Sequence, residues 1–183
     1  DKAYQMNGSV SELTKVLDGM NYMADHNAVS MSEMSEAMSI VGSTAASFGV
    51  DVDEAAAALG TMISTTRQSG SEAAKAFKAI LLNVRQVSDE EEGIDAEGLE
   101  RYEKACNALG VRLRQTKDGV LSLRDPMEVL RELSEEYNKL GETDSRKSDL
   151  LNSVGDKSSA TQLDALLSQW DTYEAMVHQY SNG

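Results

Sequence analysis

The sequence SMSEMSEAMSIVGSTAASFGVDVDEAAAALGTMISTTRQSGSEAAKAF, residues 30–77, contains three helix starts of one type. Each start places a serine or aspartate three residues before a glutamate, so that both side chains can bond to amides of the first turn. A fourth start of this type comes before the stretch, and the four pairs are Ser9 with Glu12, Ser30 with Glu33, Asp51 with Glu54, and Ser69 with Glu72. The spacings of 21, 21 and 18 residues predict four short antiparallel helices joined by tight turns, with Gly49 and Gly70 at two helix exits.

Apolar residues recur in each predicted helix at spacings of three and four, which mark one helix face. The predicted faces are Val10, Leu13, Leu17 and Met20; Met31, Met34, Met38, Val41, Ala45 and Phe48; Val52, Ala55, Leu59 and Met62; and Ala73, Phe77, Ile80, Val84 and Val87. We call Met31, Met34 and Met38 the methionine stripe. Such a stripe either fills a core or forms an adaptable binding groove, and both interpretations stay open at this stage.

An acidic segment divides the sequence. Eight of the fifteen residues at 89–103 are acidic, and Gly93 and Gly98 should interrupt any helix that begins there. We therefore predict a four-helix subdomain at residues 1–88, an exposed acidic linker at residues 89–98, and a second helical subdomain at residues 99–183. The overall prediction is a mainly α protein, an antiparallel multi-helix bundle of short helices with one small β-hairpin.

The hairpin is predicted at about residues 111–123, where apolar residues alternate around an Asp-Gly pair. Asp125 and Glu128 then occupy the N-cap and N3 positions of a further helix, with proline at N1. The last helix is predicted to be continuous because its apolar residues again step by three and four. We call five of them the C-terminal stripe, which could complete the fold or pair with another chain: Leu163, Leu166, Trp170, Tyr173 and Val177.

Residues suited to catalysis or metal binding are sparse. Cys106 is the only cysteine, and the two histidines lie far apart without a metal-ligand spacing. Asp51, Asp53 and Glu54 form a compact carboxylate cluster, but acids in a first helical turn complement the helix dipole and so favour capping over a Ca²⁺ or Mg²⁺ site. No nucleophile elbow or phosphate-binding loop is present. We expect no enzymatic activity, no cofactor and no metal.

The charge balance argues against two classes of ligand. Seventeen basic and thirty-one acidic residues give a net charge of −14, which repels nucleic-acid phosphates and anionic membranes. No apolar run approaches the roughly 20 residues of a membrane-spanning helix. We therefore expect no direct nucleic-acid binding and no membrane span in this segment. Because the chain starts at Asp1 and not at methionine, we expect it to be a piece of a longer protein.

The ordered series of motifs resembles the core region of phage tail tape measure proteins of siphophages and of prophages in Gram-positive bacteria. Four segments carry the resemblance: VLDGMNYMADHNAVSMSEMSEAMSIVGSTAASFGVD (16–51), EAAAALGTMISTTRQSGSEAAKAFKAILLNV (54–84), LGVRLRQTKDGVLSLRDPMEVLREL (109–133) and LLNSVGDKSSATQLDALL (150–167). They are similar to the family's first helices, its alanine-rich helix, its hairpin with the following helix, and its next two helices. The acidic segment at residues 88–98 departs from the family's pattern.

The resemblance implies a structural protein that sets tail length and nucleates polymerisation of the tail tube. Its implied partners are the tail-tube protein, tail assembly chaperones and further copies of itself. It would assemble in the host cytoplasm, lie in the lumen of the virion tail and leave at DNA ejection. Two other classes stay open: a helical effector or membrane-active module of phage or bacterial origin, and a cell-wall hydrolase built from carboxylates such as Glu54 or Glu72.

Overall fold

The structure is a computed structural model that describes residues 10–182, with side chains from residue 11. It is mainly α-helical with one small antiparallel sheet, which confirms the predicted fold class. In chain order the elements are α1 (Val10–Asn27), α2 (Met31–Ser47), α3 (Val52–Thr66), α4 (Gly70–Val84), α5 (Ala96–Ala108), β1 (Arg114–Lys117), β2 (Val120–Leu123), α6 (Pro126–Asn138), α7 (Ser145–Ser153), α8 (Lys157–Ser168) and α9 (Trp170–Ser181).

In the turns between the first helices, the residues with positive φ are only partly those predicted. Gly49 has the expected positive φ of 80° after α2, but Gly70 is the first residue of α4 and does not have a positive φ. The left-handed residue after α3 is Arg67, at φ 61°. Gly70 is needed for space, because a side-chain Cβ at this position would overlap the carbonyl oxygen of Glu33 in the first turn of α2.

Helix α1 buries only part of its predicted apolar face. Met20 of that face is buried, as is Met23 outside it, but Leu13 and Leu17 are 41% and 46% exposed. The reason is the close approach of α9, since a Cβ at Gly19 would lie 2.9 Å from the ring of Tyr180. Leu13 and Leu17 therefore lie on the apolar face that the sequence marks but are not part of the core.

Helix α3 is the centre of the fold. All nine residues from Ala55 to Ile63 are buried, and α3 packs against α1, α2, α4, α8 and α9. Small side chains on every face of a helix let its neighbours come close, and the run Ala55–Ala58 and Gly60 supply them here. A helix that is apolar all round has to be enclosed, and α8 and α9 complete the enclosure.

One hydrophobic core is shared by residues on both sides of the acidic segment. It extends from Met20 in α1 to Met176 in α9, and α4 packs directly against α8. The division into subdomains at residues 1–88 and 99–183 stays a prediction.

The acidic segment itself is partly built into the fold. Asp89 and Ile94 exchange two backbone hydrogen bonds of 2.8 and 2.9 Å, and Ile94 is buried in a small apolar cluster with Ala79, Leu82 and Leu99. Helix α5 begins directly afterwards, with the Asp95 carboxylate accepting from the Gly98 amide at 2.8 Å. Gly98 therefore lies within the first turn of α5 and does not interrupt it, contrary to the prediction.

The hairpin forms where the sequence predicts it. Strands β1 and β2 pair antiparallel, with Lys117 opposite Val120 and Arg114 opposite Leu123. Asp118 and Gly119 both have positive φ, at 53° and 77°, as a type I′ turn requires. Nearly all of its side chains are exposed.

The predicted last helix is two helices. Gln169 leaves the helical conformation at φ −108° and ψ 33°, so α8 and α9 point in different directions. The bend lets α8 pack against α4 and α6 while α9 packs against α1 and α3. A straight helix could not cover both sites, and tertiary packing overrides the local pattern. None of the described helices is long and apolar enough to cross a membrane.

Candidate functional site

The residues predicted to cap helices lie at helix starts wherever the structure describes them. The hydroxyls of Ser30 and Ser69 accept from the amides of Glu33 and Glu72, at 3.1 and 3.2 Å. In these two turns the structure gives no return bond from the glutamate side chain, so each shows half of the expected pair. Ser9, the partner predicted for Glu12, lies outside the described residues.

Asp51 and Glu54 form the predicted capping box of α3, and the Asp125 side chain caps α6. At the start of α3 the Glu54 carboxylate accepts from the Asp51 amide at 3.0 Å, while the Glu54 amide donates to the Asp53 carboxylate at 2.9 Å. At the start of α6 the Asp125 carboxylate accepts from the Met127 amide at 2.8 Å. Glu128 instead points toward Arg124, with 3.8 Å between the charged groups. These contacts fix helix starts and leave the acids in structural roles.

The carboxylates of Asp51, Asp53 and Glu54 do lie close enough together to ligate one cation. Burial is the main cause that raises the pKa of Glu54, and the charge of Asp51 adds to the effect. All three belong to the first turn of α3 and its cap, where the helix dipole favours negative charge. The absence of a metal stays a prediction.

The two predicted stripes are packed inside the molecule. Met34, Leu163 and Leu166 are fully buried, and Trp170 and Tyr173 are 7% and 5% exposed. Met31, Met38 and Val177 are half-buried at the edge of the same core. In this fold the methionine stripe and the C-terminal stripe therefore form part of the core or its edge. Their pairing between chains in an assembled structure stays a prediction.

A cleft of about 450 Å³ lies between α4, the start of α5 and the turn between α7 and α8. Lys75, Glu92 and Arg101 line it together with the buried amide of Asn83. Most of its polar groups have structural partners: Asn83 donates to the carbonyl oxygens of Ala79 and Val154, and Glu92 forms an ion pair with Lys78 at 3.3 Å. The cleft joins elements from both halves of the chain.

The buried polar groups do not resemble activated nucleophiles. Burial raises the pKa of the Cys106 thiol and of the Tyr102 hydroxyl far above their usual ranges. A thiol in that state is protonated and unreactive. The prediction that Cys106 is a small core side chain agrees with its full burial. That the chain is not an enzyme stays a prediction.

A model of the phage-related minor tail protein family matches residues 1–156 of this chain. The chain belongs to that family. It is thus a phage tail protein with a structural role in the virion tail. Neither the curated proteins nor the solved structures give a match.

The family match can be placed on the fold of this tail protein. It spans α1 to α7 with the hairpin and ends at Asp156, the N-cap of α8. The C-terminal stripe lies beyond the match, although its burial is what closes the core around α3. The matched region also holds the most exposed large apolar side chains among the described residues, Val120 and Leu121 at 65% and 64%.

The sequence did not identify that exposed surface. Alternation of apolar residues predicted the hairpin correctly, but it did not indicate whether the side chains of the hairpin would be covered. In the tail protein only Leu123 is partly buried against the core. The signal available in the sequence was the shortness of the hairpin, since an isolated two-stranded sheet cannot bury both of its faces.

Proposed function

We propose that this chain is a segment of a tape measure protein that takes part in tail-length determination and tail-tube assembly. Membership of the phage-related minor tail protein family carries the proposal. A mainly helical architecture supports it, because the length of a helix increases by a constant rise per residue. The segment acts in the lumen of the tail, after assembly in the host cytoplasm, and is released at DNA ejection.

The partners that we propose follow from this role. The tail-tube protein contacts the segment along the lumen, tail assembly chaperones hold it before the tube polymerises, and copies of the chain meet one another. The net charge of −14 keeps the chain from adhering to nucleic acid that passes through the same tail.

The two states in which the segment could measure length differ strongly in size. Residues 10–180 span about 250 Å as one continuous helix, at roughly 1.5 Å per residue. A compact fold of this chain length is only about 40 Å across, from the usual scaling of the radius of gyration. Tail length therefore reports which state contributes to the ruler.

The test is an in-frame deletion of residues 10–180 from the parent gene, with tail length measured by electron microscopy. Shortening by about 250 Å supports an extended ruler, and shortening by about 40 Å supports a ruler that contains the folded state. Intact tails of unchanged length would overturn the measuring role. If the deletion abolishes tails, an unrelated helical segment of the same length is inserted in its place. Tails that are still absent with this insert would also overturn the measuring role.

We further propose that the segment has no enzymatic activity. The Glu54 carboxylate, whose pKa is raised, already accepts a hydrogen bond from the Asp51 amide at the start of α3. The Cys106 thiol is buried, and its pKa is raised as well. Incubation of the purified chain with peptidoglycan should release neither sugar nor peptide. Release that disappears in Glu54→Gln or Glu72→Gln would overturn this proposal in favour of a hydrolase.

A further inference from the structure

The two edges of the hairpin differ in how they are protected. The strand β1 carries Arg114 and Lys117, and charged side chains are a common guard against pairing with another chain. The strand β2 reads Val-Leu-Ser-Leu and carries no charge. Its residues Val120 and Leu121 are 65% and 64% exposed. Neither strand has a second neighbour in the described part of the chain.

The register shows which backbone groups of β2 are open to a partner. The Arg124 amide donates to the Leu113 carbonyl oxygen at 3.0 Å, so this pair is hydrogen-bonded across the hairpin. Hydrogen-bonded and open pairs alternate along an antiparallel ladder. Arg114 with Leu123 and Thr116 with Leu121 are therefore the open pairs, and on β2 the amides and carbonyls of Leu121 and Leu123 point outward.

We propose that β2 pairs antiparallel with β2 of a second copy of this chain, about a two-fold axis at Ser122. In that register Leu121 lies opposite Leu123 of the second copy, and four backbone hydrogen bonds join the two strands. The two Ser122 residues face each other as a pair without hydrogen bonds. The result is a four-stranded sheet with β1 of each copy at its outer edges.

The side chains of β2 fit this self-pairing. Residues two apart on a strand lie on one face, so Leu121 and Leu123 of both copies form one apolar cluster. Leu123 already packs against the core, so this cluster continues it. Pairing through β1 would instead bring together two edges that each carry Arg114 and Lys117, and charged side chains on an edge strand disfavour such pairing. The self-complementary and uncharged edge therefore selects a second copy as its occupant.

The expected interface is small. Two short strands bury far less than the roughly 1,200 Å² of a stable protein–protein interface. The dimer should accordingly be weak and dependent on concentration, and a covalent trap is better suited to it than chromatography. The inference is independent of the tape-measure role, because it concerns only the edge of β2.

Ser122→Cys in the full chain provides that trap. Residues opposite each other without hydrogen bonds have Cα atoms about 4.5 Å apart, which is within the range of a disulfide. The matched control is Gln115→Cys, which is directly opposite Ser122 in the hairpin and is also exposed. Cys106 is fully buried and stays in both variants. Oxidation by copper phenanthroline is followed on non-reducing gels.

We expect the Ser122→Cys variant to form a covalent dimer about tenfold faster than the Gln115→Cys variant, because pre-association raises the effective thiol concentration. Adding Leu121→Lys to Ser122→Cys should reduce the rate to that of the control, with an unchanged far-ultraviolet circular dichroism spectrum. Equal rates in the two single variants would overturn the proposal. It would also be overturned if Leu121→Lys left the rate unchanged.

Discussion

Replacing Gly70 by alanine should destabilise the protein although it improves the helix propensity of α4. Gly70 begins α4 directly after its N-cap, Ser69. A Cβ at this position would overlap the carbonyl oxygen of Glu33 and lie 3.2 Å from the Glu33 Cα. Both partners are backbone atoms of packed helices, so no flexible side chain can move away. The first turns of α2 and α4 would have to separate.

Two opposing effects set the magnitude. Alanine in place of glycine in a helix gains about 0.5–1 kcal/mol. Overpacking of a rigid interior costs about 1–3 kcal/mol, and backbone on both sides places this position at the upper end of that range. We expect a net loss of about 2 kcal/mol in the free energy of unfolding, which lowers the melting temperature by about 4–8 °C for a chain of this size.

Gly98 provides the matched control. It also lies in a first helical turn, but a Cβ there would meet only the side chains of Asp95, at 3.2 Å, and Arg101, at 3.7 Å. Gly98→Ala should therefore be neutral or stabilising by up to about 1 kcal/mol. Urea unfolding followed by circular dichroism at 222 nm compares the two variants. A Gly70→Ala variant as stable as the Gly98→Ala variant would refute the close approach of α2 and α4.

Three further predictions test the core and its ionisable groups. Met34→Ala should lower the free energy of unfolding by about 2–5 kcal/mol because Met34 is fully buried. Leu17→Ala should lower it by less than about 1 kcal/mol because Leu17 is 46% exposed. Equal losses for the two variants in urea unfolding would indicate that Leu17 is buried after all. Burial raises the pKa of Glu54 above its unfolded value, so the stability that this shift contributes is present below the unfolded pKa and is lost as the pH rises through the folded pKa. The stability of Glu54→Gln relative to the natural chain should thus increase from pH 4 to pH 7, and a constant difference would contradict the shift. Iodoacetamide should label Cys106 only as the chain unfolds in urea, since the thiol is fully buried with a raised pKa; rapid labelling in buffer would show that α5 is not packed as described.

Local signals predicted the helix starts and the hairpin, because both depend on a few neighbouring residues. Ser30 and Ser69 cap helices through bonds to residues three positions away. The Asp-Gly turn depends on two backbone conformations alone. Patterns of this kind do not require knowledge of what packs on the element, so the sequence is sufficient for them.

The predictions that failed concern features that depend on packing against helices distant in the sequence. The exposed side of α1 at Leu13 and Leu17 depends on where α9 crosses, and that crossing depends on Gly19. The bend at Gln169 has no helix-breaking residue, since glycine and proline are both absent from α8 and α9. The bend instead reflects tertiary packing, because α8 packs against α4 while α9 packs against α3. Leu163 and Leu166 are buried within this chain, and their pairing with another chain stays a prediction, because an apolar stripe does not show whether its cover comes from its own chain.

The enclosure of α3 also sets the order in which the chain can fold during synthesis. Its buried residues need α8 and α9 as cover, and α9 ends at Ser181, more than a hundred residues after α3 ends at Thr66. At about 5–20 residues per second, the ribosome takes roughly 6–23 s to add those residues. Until then the side of α3 that packs against α8 and α9 lacks its cover. The nascent chain therefore offers a binding surface that the finished fold removes.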